Sequence, residues 1–579
     1  MTPSSPSLWL DESSSEGVRM VTALVRLRGA LQAAVLPLDL DGVEGPRGVR
    51  RELVDQLEDY VIPRMTTLEA PMLVVVGGST GAGKSTLVNS LVGRRVTEPG
   101  VLRPTTRSAV LVHHPDDAEW FGQDRLLPDL RRVDAPTNDH GALQLVADDS
   151  VPAGIAIIDA PDVDSVEKTN RALAAQLLAA ADMWLFVTSA ARYADQVPWE
   201  HLKQAAARSI AVAIVLDRTA PDAVPTVSTH LARMLASRGL KDSPLFVVHE
   251  GEVSDEGLLP AADVADIRGW LDSLARDADA RGGVVRQTME GTVRALTRQL
   301  HPVADAVDRQ VAAVAELREG AAAAFDASAD ELVTAAGDGT LLRGDLLARW
   351  EEFVGTGELL RTLEDKVGWL RERLVSAVKG KPQQAERVTV AVESALESLV
   401  LAHAELAAGR AAQAWAAHPA GEGLLAGEDG ARLARPSTEL RRACERAVRD
   451  WQAEVTELIR AEGADKRTSA RFLVYGVQGL SVALMVLSLD NGSTESATLG
   501  RRLLEAVFGA PAVEELERRS REALAPRLRA LLEAEALRWQ EHLDSLGVDP
   551  DAAEQLRQAT RRVDDVRFGP ATRGTDAGD

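Results

Sequence analysis

Cysteine is nearly absent: among 579 residues only Cys444 is present. That excludes an internal disulfide framework and a cysteine metal cage within one chain, and it implies a reducing compartment. On an Arg- and Ala-rich helix, this cysteine reads as a small packed residue rather than a nucleophile. Aromatics are also scarce, at 4%, whereas Ala, Leu, Arg and Glu fill long stretches, so packing is expected to rest on the aliphatic faces of helical bundles. Positive charge is in deficit. The formal net charge of −23 would repel a phosphate backbone, and no nucleic-acid partner is expected. The basic-then-apolar order of a secretory signal is missing from Met1 to Glu16, which is Ser- and Pro-rich and acidic. Residues 1–16 and 569–579 are read as disordered tails. The length calls for a nucleotide-sized domain and at least one other large unit.

What is present is a loop of defined chemistry. Gly78-Ser79-Thr80-Gly81-Ala82-Gly83-Lys84-Ser85 follows the apolar run Met72 to Val76 and leads into the helical pattern Thr86 to Val92. Glycines at these positions let successive backbone N–H groups turn inward around an anion. Lys84 can reach the β- and γ-phosphates, the Ser85 hydroxyl can bind Mg²⁺, and the helix start adds its positive dipole end. A strand before the loop and a helix after it are the setting that confirms a nucleotide phosphate site.

Taken in order, Val18 to Gln32 and Arg51 to Arg64 have helical spacing on either side of the Pro/Gly-containing interval Pro37 to Gly48. Residues 17–68 are therefore expected to form helices that pack with the helical stalk. The nucleotide domain is expected over 69–275. After the phosphate loop, Arg103-Pro104-Thr105-Thr106-Arg107 precedes the strand-like Ser108 to Val112. A threonine there suits a switch that completes the Mg²⁺ shell, with Thr106 favoured and Thr105 second. The buried strand Ile155 to Ile158 ends in Asp159, placed to hold the water shell of Mg²⁺ opposite Ser85. Asp162 and Asp164 lie close by. A helix from about Glu167 to Ala181, the strand Met183 to Val187, a further helix, and the strands Ile210 to Leu216 and Leu245 to Val248 complete an α/β alternation. This predicts a doubly wound, mostly parallel sheet with its ligand at the carboxyl ends of the strands. Arg192, after the strand Met183 to Val187, reads either as a phosphate-contacting arginine or as the partner of a neighbouring acid.

The order of these motifs resembles the translation-factor-like GTPases, and within them the bacterial dynamin-like proteins. Gly83 to Gly93, Thr105-Thr106-Arg107 and Asp159-Ala160-Pro161-Asp162 match their first three motifs, and Asp159 to Val166, Val187 to Trp199, Gly257 to Pro260 and Trp451 to Val482 resemble an actinobacterial group. The likeness implies a Mg²⁺-dependent GTPase in which Gly78 to Thr86, Asp162, Asp217 and Arg218 contact nucleotide, and Lys84, Thr80 and Thr106 act in catalysis. Ser85, Thr106 and Asp159 would hold the metal. Two departures stand out. The guanine-reading motif of the family ends in a carboxylate, whereas Asp217-Arg218-Thr219-Ala220 ends in alanine, with Asp222 two residues on. Thr80-Gly81 stands where dynamins place Gln-Ser to orient the attacking water, so hydrolysis is expected to be slow or to need dimerisation.

Residues 276–568 read as a helical stalk, with breaks at Gly380-Lys381-Pro382 and around His418 to Pro436. Its Ala/Leu faces suit antiparallel, coiled-coil-like bundles or self-assembly. Phe472 to Leu489 is an uncharged run of about eighteen residues, near the lower limit for a bilayer span. Lys466, Arg467 and Arg471 precede it. It is read as a membrane contact, with a buried core helix as the alternative. The reading that follows is a dynamin-like GTPase with GTP and GDP as ligands, self-associating through its GTPase domain and stalk. It would be cytoplasmic, at the inner face of the cell membrane. A nucleotide-regulated scaffold with little hydrolysis and a P-loop ATPase are the alternatives.

Overall fold

The computed structural model describes residues 8–10, 14–98, 108–123, 125–137, 139–354, 381–464, 470–490 and 495–568. They form two compact units. One draws on the chain up to Leu36, on Gly42–Asp308 and on the chain from Asp549 onward; the other draws on Pro37–Asp41 and Arg309–Val548.

The first unit is built on an eight-stranded sheet. Its strands are β1 (Met72–Gly78), β2 (Ala109–His113), β3 (Arg131–Val133), β4 (Ala142–Ala147), β5 (Ile155–Asp159), β6 (Met183–Ser189), β7 (Ala211–Thr219) and β8 (Leu245–His249). Their spatial order is β3-β4-β2-β5-β1-β6-β7-β8. Every pairing is parallel except β2 with β5. The central strands β1, β5 and β6 are buried along their whole length, as expected of strands covered by helices on both faces. Register then positions the site. Val76 pairs with Asp159 and Gly78 with Val187, so the chain leaves β1, β5 and β6 at one edge of the sheet, where such folds bind ligands.

Sequence reading placed a helix pair at 17–68. The helix Ser15–Ala33 packs along Ala552–Phe568, and both lie in the sheet-bearing unit, which is therefore larger than 69–275. The segment from Glu44 to Met65 passes through one π-helical stretch, Leu57–Val61, and it anchors the base of the sheet. Tyr60 Oη and Arg64 Nε donate to Asp182 Oδ1 at 2.8 and 3.0 Å. The Leu73 N–H donates to Asp182 Oδ2 at 2.8 Å. Both ion-pair partners, Arg64 and Asp182, are fully buried, and Arg64 also donates to the carbonyls of Thr67 and Ala70. A buried charge pair survives only when its remaining donors and acceptors are satisfied, and this one ties the start of β1 to the start of β6.

The second unit is helical. Gly344–Val354, Lys381–Ala416, Leu440–Glu462, Ala470–Ser488, Glu495–Phe508 and Ala510–Asp544 surround a common core. Large side chains punctuate the aliphatic packing: Trp350, Trp415, Trp451 and Trp539 are all fully buried. The Trp451 indole donates to Ser520 O at 2.9 Å, and Trp415 to Leu317 O at 2.8 Å.

The uncharged run 472–489, read as a membrane contact, lies in this core. Leu480, Leu484, Val486, Leu487 and Leu489 are completely buried. Helices Lys381–Ala416, Leu440–Glu462, Glu495–Phe508 and Ala510–Asp544 pack around Ala470–Ser488, so the part from Gly479 to Leu489 is covered by protein, whereas Gln478 is exposed and Tyr475 to Val477 are half-buried. Among the described residues, no helix is long and apolar enough to cross a membrane.

Candidate functional site

The phosphate loop joins β1 to the helix Lys84–Val92. Two glycines are required by geometry. A Cβ at Gly78, where φ is +149°, would meet Val187 O at 2.0 Å, and one at Gly83, where φ is +96°, would meet Asp217 Oδ2 at 2.0 Å. No L side chain fits either place. Between them Ser79 and Ala82 are buried and Gly81 is exposed. Thr86 follows, half-buried, in the first helical turn. Successive N–H groups at a helix N-terminus form an anion cradle.

Lys84 is 5% exposed. Its Nζ donates to the carbonyls of Gly78 and Ser79 at 3.1 Å each and forms an ion pair with Asp162. Ser85 Oγ donates to Asp159 Oδ2 at 2.7 Å. Asp159 is fully buried, and burial pushes its carboxyl above the ordinary range against the pull of Ser85 and Lys84. Its Oδ1 is buried without a partner. One hydroxyl and one carboxylate with an unsatisfied oxygen are hard donors that suit Mg²⁺. The remaining ligands of that ion are usually waters and substrate phosphates. Thr106 and Thr105, expected to complete the shell, lie outside the described residues.

Asp164 is the acid that sequence reading underrated. Its Oδ1 accepts from both the Thr80 N–H and Thr80 Oγ1 at 2.6 Å. Its Oδ2 accepts from Arg192 at 3.0 Å. One carboxylate thus joins the phosphate loop to the turn after β6. Of the two readings of Arg192, pairing with an acid is the one observed here, and the acid belongs to the site. The Asp-x-Pro-Asp-x-Asp spacing was the available signal, since it puts two further carboxylates just beyond Asp159. Lys84 and the Thr80 N–H are groups a triphosphate would take, so phosphate oxygens would exchange with Asp162 and Asp164 as their partners.

At the end of β7, Asp217 is buried and accepts from the Arg218 N–H at 2.8 Å. Arg218 is exposed at φ +52°. Burial pushes the Asp217 carboxyl up to about 6. It lies directly against Gly83, so β7 supplies the wall beside the last glycine of the loop. Lys84, Ser85, Thr80, Asp159, Asp162, Asp217 and Arg218 are therefore brought together at one edge of the sheet by the ends of β1, its neighbour β5, and β7, which lies one strand beyond β6, and by the connections that follow them.

No family profile matches the chain. A curated plant protein from Arabidopsis thaliana, described as a probable transmembrane GTPase FZO-like, chloroplastic, is 26% identical over 159 residues. That match takes in 26% of this chain and 16% of the plant protein's length. Two solved structures described as an oligomerised bacterial dynamin pair for long-range sensing and tethering of membranes are each 11% identical, with TM-scores of 0.33 and 0.35. They cover 90% and 96% of this chain, and 90% and 95% of their own. The LeoA bacterial dynamin GTPase from ETEC is 12% identical at a TM-score of 0.24, covering 94% of this chain and 98% of its own.

Proposed function

We propose that the chain is a Mg²⁺-dependent nucleoside triphosphatase of the dynamin-like kind, with GTP as substrate. The observation that carries the proposal is the loop between β1 and its helix, where Lys84 is buried under the glycine turn and Ser85 meets Asp159 at 2.7 Å. In this reading the loop N–H groups and Lys84 hold the β- and γ-phosphates and neutralise charge that builds on their oxygens during in-line attack by water. Ser85 and Asp159 would hold Mg²⁺, which supplies further charge neutralisation when bound. Thr80 Oγ1, fixed in orientation by Asp164, stands where the resemblance puts the group that orients the attacking water. Guanine is supported by the name of the plant relative.

A second reading, with ATP as substrate, is favoured by Ala220, which leaves no carboxylate at the fourth position after β7. Titrating the purified protein with GTP and ATP, each with and without Mg²⁺, separates the two. GTP binding that tightens with Mg²⁺ is the expected result; tight ATP binding with no GTP binding would replace guanine by adenine. Self-association, implied by the motif resemblance, and contact with a membrane surface, supported by the same relative being described as a transmembrane GTPase, extend the proposal. Sedimentation with and without anionic vesicles tests that extension, and protein that stays monomeric and vesicle-free in every nucleotide state would remove it.

A further inference from the structure

In the proposed function Ser85 and Asp159 hold the metal on the β5 side of β1. A nucleoside whose phosphates sit in the loop then leaves it on the opposite side, over the ends of β6, β7 and β8. β7 is bulged at this end. Leu216 pairs with Val247 but Thr219 pairs with His249, so three steps along β7 match two along β8. Arg218 takes up the extra residue at φ +52°. Bulges of this kind re-aim side chains and recur beside ligand sites. Here the bulge turns Asp217 Oδ2 and Arg218 Nε toward Gly83, which sets the end of β7 against the last glycine of the phosphate loop.

The end of β7 offers a base no free carboxylate. Asp217 is buried, its Oδ1 accepts from the Arg218 N–H and its Oδ2 packs on Gly83. Arg218 carries donors only, Thr219 is fully buried, and Ala220 has no polar side-chain atom. A guanine edge presents two adjacent donors, the ring N1–H and the 2-amino group, and one carboxylate can accept both. The bulge brings such a group across from β8. Continued from Leu216 and Val247 without it, the ladder would set Ala220 beside Gly251; with it, Ala220 falls level with Glu250. The Glu250 N–H donates to Thr219 O at 3.2 Å, which fixes that register. Its carboxylate is exposed and, among the described residues, has neither a hydrogen bond nor an ion pair. Asp222 and Glu252 are exposed too, but Asp222 lies in the turn leading into the helix Val224–Ser237 and Glu252 follows two residues after the bond to β7.

We propose that Glu250 selects guanine in this protein, its carboxylate accepting from the N1–H and the 2-amino group at the place Ala220 leaves empty. The inference rests on the reading of the phosphate loop as a GTP site and names the residue that reads its base. Adjacent strands lie about 4.8 Å apart, and a glutamate stem is one methylene longer than that of aspartate. The small side chain of Ala220 leaves room for it. An ionised acceptor on two donors forms a charge-assisted pair, among the stronger hydrogen bonds. Adenine has an acceptor nitrogen at N1 and no 2-amino group, so it would set a lone pair against the carboxylate, and rejection follows from that mismatch.

Calorimetric titration of the full chain with GTP, xanthosine triphosphate and ATP at fixed Mg²⁺, in the parent and in Glu250→Gln, tests the assignment, with tripolyphosphate as a probe of the loop alone. Xanthine carries a carbonyl where guanine has its 2-amino group, so a glutamine amide donates to it where a carboxylate is repelled. The parent is expected to bind GTP ahead of both competitors. In the variant GTP affinity should fall by about tenfold or more, the preference for guanine over xanthine should shrink by at least as much, and tripolyphosphate should bind as in the parent. A variant with the parent's GTP affinity and the parent's preference would overturn the assignment while leaving GTP as the substrate. Loss of tripolyphosphate together with GTP would also overturn it, since Glu250 would then act on the fold or the loop. A parent that prefers ATP, or binds neither nucleotide nor tripolyphosphate, would remove the GTP site and this assignment with it.

Discussion

Asp164 and Asp59 show what single carboxylates do in this molecule. Asp164 spends both oxygens on the site, holding Thr80 and Arg192, whereas Asp59 keeps one oxygen unsatisfied. The second case has a measurable consequence. The ordinary carboxyl value is 3.8 and Asp59 in the fold sits at about 6, so the folded state holds its proton over a pH range in which the unfolded chain has lost it. Stability therefore falls as pH rises through that window and is flat above it. Asp59→Asn is expected to be more stable than the parent by on the order of 2 kcal/mol at pH 7.5, with the gap closing as pH falls from about 6 toward 4. Urea unfolding across that range checks it, and a gap independent of pH would contradict it. Much of the phosphate site was legible at this scale because Gly78 to Ser85 is contiguous, and each residue's role follows from its place in one turn. Asp164 was less legible because its importance comes from Arg192, 28 residues away in sequence and brought close only because β5 and β6 flank β1 on either side.

Among elements, burial decides between readings that periodicity leaves open. The run 472–489 has the same hydrophobicity whether lipid or protein surrounds it; the helices packed around Ala470–Ser488 make its part from Gly479 to Leu489 core. Leu484→Ala is accordingly expected to cost about 2–5 kcal/mol in the helical unit, measured by chemical denaturation. A variant with unchanged stability and weakened vesicle binding would favour the lipid reading instead. The Arg64–Asp182 pair offers a second test. Arg64→Met leaves Asp182 buried without its cation, and a loss of about 3–5 kcal/mol is expected in the sheet-bearing unit; a loss below about 1 kcal/mol would show that Tyr60 and the Leu73 N–H suffice. The strands β1, β5, β6 and β7 were readable as apolar β-branched runs. β3 and β4 were not. β3 is three residues long with two arginines at the sheet edge, where short charged strands prevent unwanted pairing, and β4 carries Gln144 among its apolar residues.

For the whole molecule, the alternation of strand-like and helical runs anticipated an α/β part and composition a long helical part, and both are present. Composition could not assign the helices to units. Ser15–Ala33 and Ala552–Phe568 come from the two ends of the chain yet pack together in the sheet-bearing unit, a long-range pairing that local periodicity does not encode. The proposal at this scale is that nucleotide turnover at the phosphate loop drives the rest of the chain. Its most direct test is Mg²⁺-dependent phosphate release from GTP by the purified full-length protein, compared with Lys84→Ala. Turnover in the parent and a loss of at least about a hundredfold in the variant, with both proteins equally folded by circular dichroism, is the predicted result; equal turnover in parent and variant would contradict it.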